Sequence, residues 1–140
     1  MTVLISTWLA KVNTTAIFKQ TGGASALGQA QAEARTMPAA FVVLLSESAT
    51  RNQSGTSFTS QTVTQRVGVV LAVDNKRDRS GEAGMDELET ARDAVFTALH
   101  GTNLSGGKTP VEFVQGGVYS TNATTQWWMD EFLTTYFRRT

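Results

Sequence analysis

Thr62-Val63-Thr64-Gln65-Arg66-Val67-Gly68-Val69-Val70-Leu71-Ala72-Val73 alternates between two kinds of residue. Val63, Val67, Val69, Leu71 and Val73 fall on one side, and Thr62, Thr64, Arg66, Gly68 and Ala72 on the other. Period two in β-branched residues predicts a long strand with one face buried. A charged turn follows, Asp74-Asn75-Lys76-Arg77-Asp78-Arg79-Ser80-Gly81. The period then changes. Met85, Leu88, Ala91 or Arg92, Val95 and Leu99 recur at steps of three and four, one stripe of an amphipathic helix. Glu82, Asp86, Glu87 and Glu89 crowd its first half, where the helix dipole favours acids, and Gly101 after His100 suits a C-cap.

Working outward, Ala39 to Leu45 is continuously apolar between Pro38 and Ser46-Glu47-Ser48. That run reads as a strand buried on both faces, one under helices and the other needing a cover that a second subunit could supply. Ser46 to Ser60 is polar and joins two strands, so it is a hairpin tip, longer than most hairpin loops and of the kind that often carries function. Upstream, Ile5, Trp8, Leu9 and Val12 make one helical stripe, and Ile17-Phe18 suits a short strand. Thr21 to Ser25 reads as a turn, and the Ala-rich segment Ala24 to Arg35 as a surface helix. Downstream, Val111, Phe113 and Gln115 suggest a third strand that Gly116-Gly117 interrupts and Val118-Tyr119 continues.

Gln126 to Arg139 is the aromatic-rich end. Trp128, Met129, Phe132, Leu133 and Tyr136 fit a helix. A strand would put Trp127, Met129, Leu133 and Phe137 on one face and Trp128, Phe132 and Tyr136 on the other. The aromatics, Thr134-Thr135 and the preceding turn favour the strand, whose two apolar faces exceed what a small domain covers alone. The expected fold is a single α+β domain over residues 1–140, a mainly antiparallel sheet of about four strands with helices packed on it.

Composition narrows the chemistry. With 140 residues, about 68% of the unfolded chain's surface can be buried, enough for a core without staples. There is no cysteine, so disulfides, thiolate metal sites and cysteine nucleophiles are excluded. Lys+Arg and Asp+Glu are both 12, a neutral balance that predicts no strong nucleic-acid or membrane footprint. No apolar run approaches the roughly 18 residues of a membrane span. Met1 to Ser6 lacks a basic region, so no signal peptide is expected, and the N-x-S/T triplets at Asn13, Asn52, Asn103 and Asn122 read as chance.

His100 is the one histidine, and no G-x-S-x-G exists for it to serve. Gly106-Gly107-Lys108-Thr109 has Thr102 where a phosphate-binding loop needs glycine, and Pro110 with a strand follows in place of a helix. Asp130 and Glu131, adjacent on a strand, point to opposite faces and are poor candidates for a cooperating pair. No catalytic, cofactor-binding or metal site is expected, and the chain reads as a protein that assembles with itself or with partners rather than an enzyme.

Four segments carry a resemblance. Met37-Pro38-Ala39-Ala40-Phe41-Val42-Val43-Leu44-Leu45-Ser46-Glu47 resembles the Pro-Ala-Ala strand of bacteriophage tail terminator proteins, including those of Mu-like phages. Val67 to Asp78 is similar to that family's second long strand and charged turn, Glu87 to Val95 to its helix, and Trp127 to Tyr136 to its closing strand. Order and spacing agree over residues 37–139, with Met129 standing where the family pattern has a basic residue. The resemblance implies a structural virion protein, assembled in the host cytoplasm. It would form a ring, usually a homo-hexamer, on the head-proximal end of the tail. Its partners would be the tail tube protein and the head-tail connector or stopper protein, with DNA passing through the centre without sequence-specific binding, and no membrane. The residues expected at its interfaces are Arg51, Asn52, Gln53 and Phe58 of the tip, Lys76, Arg77 and Arg79 of the charged turn, and Trp128. The alternatives are another neck protein, such as a head-completion or stopper protein, and a small-ligand binding domain.

Overall fold

A computed structural model of the chain describes residues 2–32, 36–74, 82–121 and 124–140. The elements run α1 (Ile5–Asn13), β1 (Gln20–Gly22), α2 (Ala24–Ala32), β2 (Ala39–Ala49), β3 (Ser60–Asp74), α3 (Glu82–Leu99), β4 (Glu112–Thr121) and β5 (Thr125–Arg139). The strands form one five-stranded sheet in the order β1-β2-β3-β5-β4. Only β1 and β2 pair in parallel, and α2 is the crossover that such a pair requires. The other neighbours are antiparallel. This is the expected α+β fold with one strand more than the sequence suggested. β1 follows Ile17-Phe18 and occupies part of the segment read as a turn. Three polar or glycine residues leave no periodicity to recognise.

β3 is the axis. It pairs with β2 from Val63 to Ala72 and with β5 along its whole length, from Ser60↔Arg139 to Asp74↔Thr125. Its inward valines and Leu71 are buried under α1 and α3 together with Trp8, Val12, Leu88, Val95, Leu99, Phe132 and Tyr136. The period-two pattern therefore sets the face correctly, and Gln65 joins it as a buried polar member. Gln65 Oε1 accepts from Trp8 Nε1 at 2.8 Å, and Gln65 Nε2 donates to the Val3 carbonyl at 2.8 Å. A buried amide is tolerable because both its ends are satisfied, and here the bonds tie α1 to the sheet.

The opposite face is covered only in part. α2 buries Leu27 against Ala39, Phe41, Val70, Ala72 and Trp127, so it is more than a surface helix. β2 is accordingly buried on both faces only from Ala39 to Val42, and Leu44 and Leu45 are exposed. In α3 the buried stripe is Leu88, Ala91, Val95 and Leu99; Met85, expected in it, is 55% exposed. Gly101 takes φ +76°, the left-handed turn that closes a helix without a Cβ clash. The segment Gln126 to Arg139 is strand, its side chains alternating between the two faces as the sheet dictates.

Candidate assembly surface

The hairpin of β2 and β3 runs past the helix-covered core. β3 alone has 15 residues, about 50 Å of extended chain. From Leu44 to Ala49 every residue of β2 is exposed. The loop of residues 50–59 is shorter than the sequence suggested, because the strands continue through Ser46–Ala49 and begin again at Ser60. It is also tightly organised. Asn52 Oδ1 accepts from the Ser54 amide at 3.1 Å and from the Ser60 amide at 2.9 Å, while Asn52 Nδ2 donates to the Phe58 carbonyl at 3.1 Å. Ser54 Oγ donates to the same carbonyl. Asparagine bonding to backbone two residues ahead is a turn-forming habit of that side chain. Gly55, at φ +67°, supplies the reversal.

The end of β5 braces this loop. Thr140 N donates to the Thr59 carbonyl at 3.1 Å, and the Thr59 amide donates to Thr140 Oγ1 at 2.9 Å. The arm is thus three strands wide at its tip. Arg51, Gln53 and Phe58 are exposed there, Phe58 at 65%. Asn52 is exposed as well but spends its amide on the loop. The bonds order the loop's backbone while the Phe58 ring stands in solvent.

Beside the tip lies a basic surface that the sequence reading did not single out. Phe137 is flanked by two cations, Lys108 Nζ 4.3 Å and Arg139 Cζ 4.4 Å from the ring centroid. Among the described residues, Arg51, Lys108, Arg138 and Arg139 form no salt bridge; the ion pairs there are Arg66–Glu131 at 3.5 Å and Arg92–Asp130 at 3.0 Å. The Arg138-Arg139 pair at the end of an aromatic strand was the legible signal. Lys108 was not, because it sits in a glycine-rich connection far away in sequence.

Trp128 is half-buried and held. Its Nε1 donates to Asp130 Oδ1 at 2.9 Å, and Arg92 Cζ lies 4.7 Å from its ring centroid. Arg92 reaches Asp130 with two nitrogens, Nε at 3.1 Å and Nη2 at 3.0 Å. Asp130 is fully buried, and the two-pronged guanidinium contact is the geometry that best compensates a buried carboxylate. Asp130 and Glu131 do face opposite ways, the first to Arg92 and the second to Arg66. Lys76, Arg77 and Arg79 lie outside the described residues. Across the sheet from the β1 edge, β4 forms the other margin, with Val118 62% and Tyr119 44% exposed. Its register shifts fall on either side of Gly116-Gly117 rather than at them, between Phe113 and Gln115 and between Val118 and Ser120. Such irregularities blunt an open sheet edge.

Among the described residues, no group of three or more His, Asp or Glu is placed to hold a metal ion, and no helix is long and apolar enough to cross a membrane. The phage tail terminator protein family model matches residues 4–140. The chain belongs to that family. The family is one of structural virion proteins. The fold of this tail terminator is similar to that of a chain in the solved structure of the virion of a native gene transfer agent particle, with a TM-score of 0.59 at 14% identity, covering 97% of this chain and 96% of that one. No curated protein matches its sequence.

Proposed function

We propose that this tail terminator closes into a ring, a homo-hexamer, on the head-proximal end of the tail tube. There it stops the addition of tube subunits, offers the surface that joins the head's connector or stopper protein, and leaves a central passage for DNA. The observation that carries this reading is the braced hairpin tip. Its hydrogen bonds run within the loop or to the strand ends, and its exposed Phe58 packs on nothing in the hydrophobic core of its own fold. A heterologous ring sets one patch of each copy against a different patch of the next, and a projecting tip offers such a patch to the next copy or to the tube below. Arg51, Gln53 and Phe58 are the residues assigned to that contact, with Asn52 holding their loop. Lys76, Arg77 and Arg79 are assigned to a ring face or its lumen, and Trp128 to the margin beside β4.

Electron microscopy of tails tests this. Phage carrying a chain that lacks Asn52–Ser57 should make overlong tails, while the purified variant keeps its fold. Normal-length tails on that variant would remove the tip from the capping contact. Phage without the protein altogether should also make overlong or headless tails. Normal tails with DNA-filled heads leaking at the portal would point instead to a head-completion role. Charge reversal at Lys76, Arg77 and Arg79 with unchanged assembly and infectivity would return those residues to a solvated turn.

A further inference from the structure

The charges of this neutral protein are sorted by place. Asp86, Glu89 and Asp93 are exposed on α3 at steps of three and four, so they share one face of the helix. Among the described residues none of the three forms a salt bridge. Glu89 and Asp93 also line a shallow, open groove along α3 together with Arg92 and Phe96. Arg92 is already neutralised by Asp130, so the charge left in the groove is negative. Phe96 gives it an aromatic side: the ring packs on Phe113 at 4.8 Å and on Phe132 at 5.4 Å between centroids. Two carboxylates beside an aromatic wall suit a cationic side chain with an apolar stem.

The complementary patch is the end of the arm. Arg139 pairs with Ser60 where the β3–β5 ladder ends, and by the alternation of β5 it shares a face with Phe137. Lys108 joins Arg139 on the Phe137 ring. Phe137 follows Tyr136, which packs under α1 and α3, so Phe137 and its cations lie on the other face of the sheet from α3. The acidic groove and the basic arm end therefore cannot meet within one copy.

We propose that the α3 groove at Glu89, Asp93 and Phe96 receives the Lys108–Arg139 end of a second copy of this chain, head to tail. This rests on the ring reading above and specifies its contact. Two different patches, each unsatisfied alone and matched in sign, define a heterologous interface, and such an interface either closes a ring or grows a filament.

The test uses two surface variants, Glu89→Lys/Asp93→Lys and Lys108→Glu/Arg139→Glu. Far-UV circular dichroism and thermal unfolding establish that each is folded, and Glu89→Gln/Asp93→Asn replaces the first should it not be. Mass is read by sedimentation at low salt and high protein concentration. Each variant alone should self-associate at least about ten-fold more weakly than the natural chain, because like charges now face each other. In an equimolar mixture every contact is again opposite in sign, so copies can alternate around an even-numbered ring and assembly should return. Either reversed variant assembling alone like the natural chain overturns the proposal, as does a mixture no heavier than its separate components. With the neutral variant in use, the reading is its own association, which must fall below that of the natural chain. Tail length separates the two proposals: a mixture that assembles but leaves tails overlong sinks the capping role and keeps the contact. Tails trimmed by each reversed variant alone sink the contact and keep the capping role.

Discussion

At one end of β2, β3 and β5, Ala39, Phe41, Val70, Ala72 and Trp127 lie buried beneath α2. At the other end of the same strands, Thr50, Arg51, Phe58 and Arg139 are exposed. Hydrogen-bonded pairing runs through both without a break between β3 and β5. What differs is what stands on the sheet. The covered end holds large apolar side chains whose burial supplies the stability. The bare end is held by ladder bonds, by Asn52 and by Thr140, which order the backbone while leaving the side chains to solvent. A strand can thus be anchored at one end and used at the other, provided the used end needs no core of its own.

The contrast can be broken most forcefully at Phe41. Phe41→Ala removes a fully buried ring that meets Trp127 at 6.3 Å between centroids, and should cost about 3–5 kcal/mol in equilibrium denaturation. Phe58→Ala at the bare end should stay within about 0.5 kcal/mol. Equal losses at the two sites would erase the distinction. Next in size is Asp130→Ala, expected to cost about 2–4 kcal/mol because Arg92 and the Trp128 N–H lose their common partner. Glu131→Ala should cost about 1 kcal/mol or less, since its partner Arg66 is 46% exposed and can turn to water.

A smaller effect sits at the boundary between the two ends. Burial raises the Tyr136 phenol above its usual pKa, and the hydrogen bond to Glu47 and that residue's charge push the same way. The folded state therefore holds this proton more tightly than the unfolded one. The stabilisation is complete below about pH 10 and is lost as pH climbs from the ordinary value to the raised one, with a slope of at most about 1.4 kcal/mol per pH unit. Tyr136→Phe should flatten that alkaline limb in denaturation followed against pH; an unchanged limb would detach Tyr136 from it. A further small change is expected inside the tip. Asn52→Ala should alter global stability by about 1 kcal/mol or less, yet speed amide exchange at Ser54 and Ser60, whose N–H groups it leaves without their acceptor. Unchanged exchange there would mean the loop is ordered by something else.

Much of the architecture could be read before any coordinates. β3 and α3 declared themselves by a change of period from two to 3.6, and the strand at 125–139 by its aromatics and threonines, because those patterns are what a half-covered sheet and a docked helix demand. β1 could not be read, since three residues carry no period. Leu27 hid in an Ala-rich helix that looked all surface, and Met85 lay on the helical stripe but beyond the sheet's reach. At the tip, Arg51, Asn52, Gln53 and Phe58 were legible as one polar loop, but not that Asn52 serves the loop itself. The Arg92–Asp130–Trp128 contact was illegible for a different reason: it joins α3 to β5 across 38 positions, and only packing brings the two together.

Gly116 sits opposite Asp130 on β4, and a Cβ added there would strike the Asp130 carboxylate, with Trp128 Nε1 3.1 Å and Arg92 Nη2 3.3 Å away. The hydrogen atom of that glycine is what admits the carboxylate between the layers. Any lineage that inherits this lock can exchange neither residue by itself without harm, so among relatives positions 116 and 130 should drift as a couple, a side chain appearing at the first only where the second has shrunk.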